Sequence, residues 1–468
     1  MNPGRILILG AGPTGLGAAR ALTEAGHRDW LLLEAAERPG GLSASFRDEA
    51  GFTWDLGGHV IFSHYGRFNR LLEECTPPGG WLSHDRVSYI RLGEAWVPYP
   101  FQNNLHRLPP ALAERCLSGL REAPRQAPPG GWPDFRAFIL GAFGQGIAES
   151  FMLPYNRKVW GAPAEEMSAA WIGDRVALPD PEDAARSLAT GRDRAGWGPN
   201  NRFRFPRQGG TGALWEAVAA RLPAENLRLG ARVTGIDLDR RRVSLAGGEE
   251  QAYDRCLSTL PLDLLAKLSG EAELIEAARE LRHTSILVVG VGLRGSPPPR
   301  MANVCWLYSP EPEVPFYRVT HLSHYSPENV PDIARQWSLM AEVTLEPETP
   351  DKAAMAAQVV DSLARLGLIA GPEQVSRLWT REVAHAYPVP TRGRDASLAR
   401  LQPALIARGV YSRGRFGSWL YEVGNMDHSY MQGWEAAMHL VFGAPEVTLW
   451  HPEVVNHPHP VLGWDLFR

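Results

Sequence analysis

Near its start the chain runs from a short apolar strand, residues 5–9, straight into Gly10-Ala11-Gly12-Pro13-Thr14-Gly15. A helix-forming stretch over 16–25 and a second apolar strand over 30–33 come next, and the strand ends in the acid Glu34. Strand, glycine turn, helix, strand and acid in this order predict the βαβ unit that holds a dinucleotide. The three glycines serve the turn, close backbone approach to a pyrophosphate, and packing of helix on strand. Phosphate charge then sits at the positive end of the helix, and Glu34 is placed to accept hydrogen bonds from a ribose. With 468 residues the chain has room for two to four lobes, so this unit is one part of a larger molecule.

The residues after Glu34 favour FAD over NAD. Glu37-Arg38-Pro39-Gly40-Gly41-Leu42 adds a second glycine turn, and Asp55-Leu56-Gly57-Gly58-His59 ends a further strand-like segment. Paired glycines there allow backbone to approach a flat ring. These turns resemble the glutathione-reductase and amine-oxidase class of flavoproteins. That resemblance implies FAD contacts at Gly10, Gly12, Thr14, Gly15, Glu34, Arg38, Gly41, Leu42, Gly58 and His59, with Val233 on the strand that meets the adenine.

The expected architecture is α/β, a Rossmann-like FAD domain with a helical insertion and an antiparallel sheet domain. The FAD domain is discontinuous, from 1–67, 203–283 and 409–468, and the helical insertion covers 68–170. The sheet domain, from 171–202 and 284–408, carries substrate, with a lid loop near 196–202. Arg240-Arg241-Arg242 reads as a solvated hairpin turn rather than an anion site. A formal net charge of −4 argues against a nucleic-acid partner. No apolar run approaches the ~18 residues of a membrane helix. Four scattered cysteines without a CxxC pair suit a reducing cytoplasm. His451, His457 and His459 alternate with prolines and lack cysteines, so no metal is expected.

Longer strings narrow the class. Gly57-Gly58-His59-Val60-Ile61-Phe62-Ser63-His64-Tyr65 and Trp96-Val97-Pro98-Tyr99-Pro100-Phe101-Gln102-Asn103-Asn104 resemble the UDP-galactopyranose mutases, in their eukaryotic, fungal-type branch. The resemblance continues in Pro154-Tyr155-Asn156-Arg157-Lys158-Val159-Trp160 and Trp197-Gly198-Pro199-Asn200, then in Ser412-Arg413-Gly414-Arg415-Phe416-Gly417-Ser418-Trp419 and Tyr421-Glu422-Val423-Gly424-Asn425. It implies interconversion of UDP-galactopyranose and UDP-galactofuranose with no net redox change. Reduced FAD acts as the nucleophile, through an adduct of its N5 with the sugar, and NADPH or NADH is the implied reductant.

The resemblance also assigns residues. Arg175 and Arg318 hold the diphosphate, where arginine forks suit phosphate better than lysine, with Tyr308, Tyr325, Tyr387 and Tyr421 beside them. Tyr99, Phe101 and Gln102 form the uracil site, near Asn156 and Trp160. His59 positions its loop against the flavin, Arg415 and Asn425 lie near flavin and sugar, and Asn200 belongs to the lid. Met426 stands where the fungal pattern has glutamine, and a thioether cannot replace amide hydrogen bonds at the flavin. The sugar stays open between galactose and another hexose or pentose. An ordinary flavin oxidase or desaturase of the same superfamily is the rival enzyme, although it has no use for paired diphosphate arginines. A Rab GDP-dissociation-inhibitor-like binding protein is the rival non-enzyme, although it need not keep flavin-binding glycine turns.

Overall fold

The computed structural model describes residues 3–173, 176–346, 349 and 351–455. The Ile6–Leu9 strand lies in parallel between Trp30–Leu33 and Arg255–Ser258. Leu227–Arg228 and Val410–Ser412 extend these to a five-stranded parallel sheet. The helix Pro13–Glu24 leaves the first strand with proline in its first turn, where the missing N–H costs no hydrogen bond. Gly15 is required by this geometry: a Cβ there would lie 1.8 Å from the Gly10 carbonyl oxygen. The helix Met426–Phe442 packs on Pro13–Glu24 and closes the lobe.

The second sheet has seven strands. Their order is Val375–Pro388, His283–Arg294, Gln336–Leu345, Arg318–Thr320, Trp306–Tyr308, Ser88–Leu92 and Ala95–Pro98. Neighbours run antiparallel except for one parallel pairing, Trp306–Tyr308 with Ser88–Leu92. The two long central strands are buried along most of their length, which is why they read as continuous apolar runs.

The expectation of a mainly helical insertion over 68–170 is corrected at its start. Trp81–Asp85, Ser88–Leu92 and Ala95–Pro98 are strands, two of them at one edge of the large sheet. The proline–glycine cluster at 77–80 follows the end of the helix Gly66–Cys75, and the two-residue turn Gly93-Glu94 joins the next two strands as a hairpin. Helices then dominate: Pro110–Glu122, Phe135–Ile147 and Leu153–Trp160. The helical run Phe135–Trp160 is, by length and composition, long and apolar enough to cross a membrane, contrary to the sequence expectation. The glycines that interrupt its apolar pattern are contact points inside the protein. A Cβ on Gly144 would strike the Gly119 carbonyl oxygen of the neighbouring helix at 2.0 Å. Phe138, Ile139, Phe143 and Ile147 of this run are buried with Leu117 and Leu120, as in a core helix.

The strands Leu227–Arg228 and Val233–Asp237 are separated at Gly230, which has φ +68°, and join different sheets. The Arg240-Arg241-Arg242 cluster lies at the turn between Val233–Asp237 and Arg242–Leu245, as its sequence suggested. The parallel sheet, the helical part and the large sheet meet around one cavity.

Candidate active site

That cavity has a volume of about 1120 Å³. The parallel-sheet lobe contributes Gly10, Gly12, Thr14, Glu34, Gly41 and Leu42, the helical part Tyr155, Asn156 and Trp160, and the large sheet Tyr308, Arg318 and Glu342. At one end, Glu34 accepts hydrogen bonds from the Ala11 N–H at 2.7 Å and the Ala36 N–H at 2.8 Å, which fixes the acid beside the first glycine turn. Gly424, Asn425 and Met426 reach the same cavity at the N-terminal end of Met426–Phe442. Gln432 of that helix braces two approaching segments, accepting from the Gly414 N–H and donating to the Val423 carbonyl, both at 2.8 Å.

The middle of the cavity is walled by Gly57, Gly58 and His59. A Cβ on Gly58 would meet Thr320 Oγ1 at 2.5 Å and Trp306 Nε1 at 2.8 Å, so only glycine lets this backbone seat against the large sheet. Burial pulls the His59 imidazole down to about 4, with Arg318 and Arg415 adding to the effect and Glu342 opposing it, so the ring is neutral at neutral pH. His59 Nδ1 and Arg415 Nε are buried without a partner among the described residues, on side chains that line the cavity. Arg415 otherwise donates to the Gly424 carbonyl at 3.0 Å and lies over the rings of Tyr387 and Tyr421. Two glycine turns, a fixed acid at a helix start and these unsatisfied polar atoms fit a flavin dinucleotide.

Beyond the glycine wall, Arg318 makes a two-point pair with Glu342: Nε to Oε1 at 2.7 Å and Nη2 to Oε2 at 2.8 Å. The two residues are register partners on adjacent antiparallel strands, which explains the match. Glu342 is fully buried and also accepts from Tyr317 Oη at 2.8 Å and the Gly58 N–H at 3.0 Å. Burial pushes its carboxyl up, but the Arg318 guanidinium and these donors outweigh burial and leave it below the usual range. Glu342 was not among the residues the sequence pointed to. A signal existed, a lone acid in the apolar stretch Ser338-Leu339-Met340-Ala341-Glu342-Val343.

Aromatic side chains frame the arginine. Tyr99 packs with Tyr308 at 5.8 Å between centroids and Tyr155 meets Tyr308 edge-on at 5.6 Å. Trp160, Tyr387 and Tyr421 form a second group. Burial raises the phenols of Tyr99, Tyr155, Tyr308 and Tyr387, so each keeps its proton at neutral pH and can donate as well as accept. Arg86 was also missed by sequence reasoning. It lies over the Tyr99 ring at 4.8 Å and donates to Asn200 Oδ1 and the Trp197 carbonyl, tying the expected lid to the cavity. Gln102 lines the wall but donates to the Ala177 carbonyl. The Asn156 amide donates to Met152 O and accepts from Trp160 Nε1, so it orients the tryptophan. Lys158 Nζ donates to four carbonyls, of Ser309, Glu311, Val314 and Phe316, at 2.6–3.0 Å.

Several expected contacts are corrected. Phe101 is fully buried and stacked on Phe151, behind Gln102 rather than on the wall, because a 3-10 turn at Phe101–Asn103 points it into the helical core. Tyr325 is also fully buried, among Phe203, Phe205 and Trp306, because the short helix Leu322–Tyr325 turns it inward. Arg38 turns aside to the Ser45 carbonyl at 2.8 Å and the Phe46 ring. Val233 and Gly15 support the lobe but do not line the cavity. Arg175, His457 and His459 lie outside the described residues. Away from the histidines of the tail, Asp263, His283 and His385 bring ligand atoms within 4.8 Å of one another. The two rings stack at 3.8 Å, and His385 Nε2 pairs with Asp263 Oδ1 at 3.2 Å.

Residues 13–441 match the family of flavin containing amine oxidoreductases. A crystal structure of reduced UDP-galactopyranose mutase is 43% identical, covers 97% of each chain and superposes with a TM-score of 0.93. The chain belongs to the flavin containing amine oxidoreductase family, in its UDP-galactopyranose mutase branch. A fatty acid isomerase from P. acnes, 16% identical with a TM-score of 0.62 over 94% of this chain and 99% of its own, shares the fold alone. The 15-cis-phytoene desaturase of Arabidopsis thaliana is 40% identical over 73 residues, 16% of this chain and 13% of the desaturase's length. FAD is the family's cofactor, and the residues above fit it.

Proposed function

We propose that the chain is a flavin-dependent UDP-galactopyranose mutase, exchanging pyranose and furanose forms of UDP-galactose with no net redox change. The observation that carries this reading is Arg318, a largely buried guanidinium facing a cavity whose other end is the flavin-type glycine turns. An oxidase acting on a neutral or cationic substrate has no use for a cation there. Bound and reduced, the flavin supplies an electron-rich ring nitrogen for the anomeric carbon.

The protein supplies position and charge. Arg318 meets the diphosphate as it departs, with Arg175 as the proposed second guanidinium. Tyr308, Tyr387 and Tyr421 donate hydroxyl hydrogen bonds to phosphate or sugar, and Tyr99 and Gln102 flank the uracil. His59, neutral, holds its segment against the ring rather than taking a proton. Asn200 and Arg86 close the site and exclude water. NADPH or NADH is the proposed source of the reduced state. The test is incubation of the holoenzyme with UDP-galactofuranose and dithionite, with nucleotide sugars separated by chromatography. UDP-galactopyranose is the expected product, and its absence from a fully reduced sample overturns the reading.

A further inference from the structure

One buried carboxylate joins the two ends of the cavity. Oε1 of Glu342 accepts from the Gly58 N–H at 3.0 Å and from Arg318 Nε at 2.7 Å, while Oε2 accepts from Arg318 Nη2 and Tyr317 Oη, both at 2.8 Å. Gly58 stands 284 residues away in sequence, in the glycine segment that walls the middle of the cavity. Its backbone is seated closely against the large sheet, where Thr320 and Trp306 leave no room for a side chain. Arg318 keeps 17% of its side chain exposed while Glu342 keeps none, so the arginine is the member of the pair more open to an arriving anion.

We propose that Glu342 is a positioning residue that couples the substrate end of the site to the flavin end by sharing its carboxylate between Arg318 and the Gly58 N–H. This rests on the mutase reading above. When a diphosphate engages Arg318, two anions compete for one guanidinium and the arginine's hold on Glu342 weakens. The freed acceptor strength goes to the remaining donors, Gly58 N–H and Tyr317 Oη, which tightens the glycine segment when the nucleotide is in place. Glu342 also competes with the diphosphate for Arg318, so nucleotide affinity is given up for this coupling.

The competition yields a result that a merely structural role does not. Glu342→Gln keeps the shape and removes the charge, leaving the diphosphate as the counter-ion of Arg318. With FAD retained, UDP should bind to the variant about tenfold more tightly by calorimetry, while kcat falls about a hundredfold. UDP should perturb the flavin absorbance of the wild type, and perturb it less in the variant. Glu342→Asp, which restores the charge, should return UDP affinity towards the wild-type value. Equal or weaker UDP binding in Glu342→Gln, with an unchanged flavin difference spectrum, overturns the proposal. If Glu342→Gln does not yield folded holoprotein, Tyr317→Phe reads the same coupling with the opposite sign. Losing one donor leaves Glu342 a stronger acceptor for Arg318, so UDP should bind about threefold more weakly, and unchanged affinity counts against the proposal. A wild type that neither binds UDP nor converts the nucleotide sugar defeats the mutase reading itself, a separate outcome from these.

Discussion

Arg318 holds a full positive charge almost out of water, against a carboxylate that is wholly so. Each needs the other: removing one partner of such a pair leaves an uncompensated buried charge, at about 3–5 kcal/mol. Arg318→Ala should therefore lower thermal stability and reduce turnover by about a thousandfold, with FAD still bound, as steady-state kinetics and flavin absorbance would report. Near-normal turnover would count heavily against the site assignment. A second buried acid behaves in the opposite way. Glu435 accepts from the N–H and hydroxyl of Thr448 but has no counter-charge among these partners, and burial pushes its carboxyl up to about 8. In the unfolded chain it ionises near 4.5, so its contribution to stability is complete below that pH and is lost as the pH rises toward 8. Glu435→Gln can keep both Thr448 hydrogen bonds without that loss. Its melting temperature should exceed the wild type's at pH 8, with the gap closing toward pH 5; a gap that widens toward acid contradicts the assignment.

Among elements, the contacts that align the site are made by backbone as much as by side chains. Lys158, on the helix that carries Asn156 and Trp160, gathers the carbonyls of the loop between the Tyr308 and Arg318 strands. Lys158→Met leaves those carbonyls without their donor, which should cost about 2 kcal/mol or more in denaturant unfolding. The untethered loop should also raise KM for the nucleotide sugar. Where Met426–Phe442 crosses Pro13–Glu24, a Cβ on Gly433 would fall 1.8 Å from the Thr14 carbonyl oxygen. Gly433→Ala must force these helices apart at an overpacking cost of about 1–3 kcal/mol, and it carries Asn425 and Met426 away from the cavity. The expected outcome is weaker FAD retention on gel filtration, and full retention would show that the crossing does not set the flavin end. The glycine turns were legible in the sequence because each encodes a local backbone requirement. Glu342 was not, because its role exists only once two strands pair and bring it opposite Arg318. Phe101 and Tyr325 were read to the wrong side because a single turn of helix decides which way a ring points, and the surrounding motif does not encode that.

For the whole molecule, division into a parallel-sheet lobe, a helical part and a large sheet was legible from glycine turns and apolar runs, and the cavity lies where the three meet. The early strands of the supposed helical insertion were harder to see. Ser88–Leu92 and Ala95–Pro98 are short, and the strand that joins them to the large sheet, Trp306–Tyr308, lies more than two hundred positions further on. That long-range pairing brings Tyr99 and Gln102 to the same cavity as Arg318. The central claim is that this assembly uses a reduced flavin without spending its electrons. Anaerobic holoenzyme, reduced once with dithionite and freed of excess reductant, should be mixed with a large excess of UDP-galactofuranose while flavin absorbance and product are followed together. The account predicts many molecules of UDP-galactopyranose per flavin with the flavin still reduced at the end. Product formation that stops at one equivalent as the flavin reoxidises would contradict it.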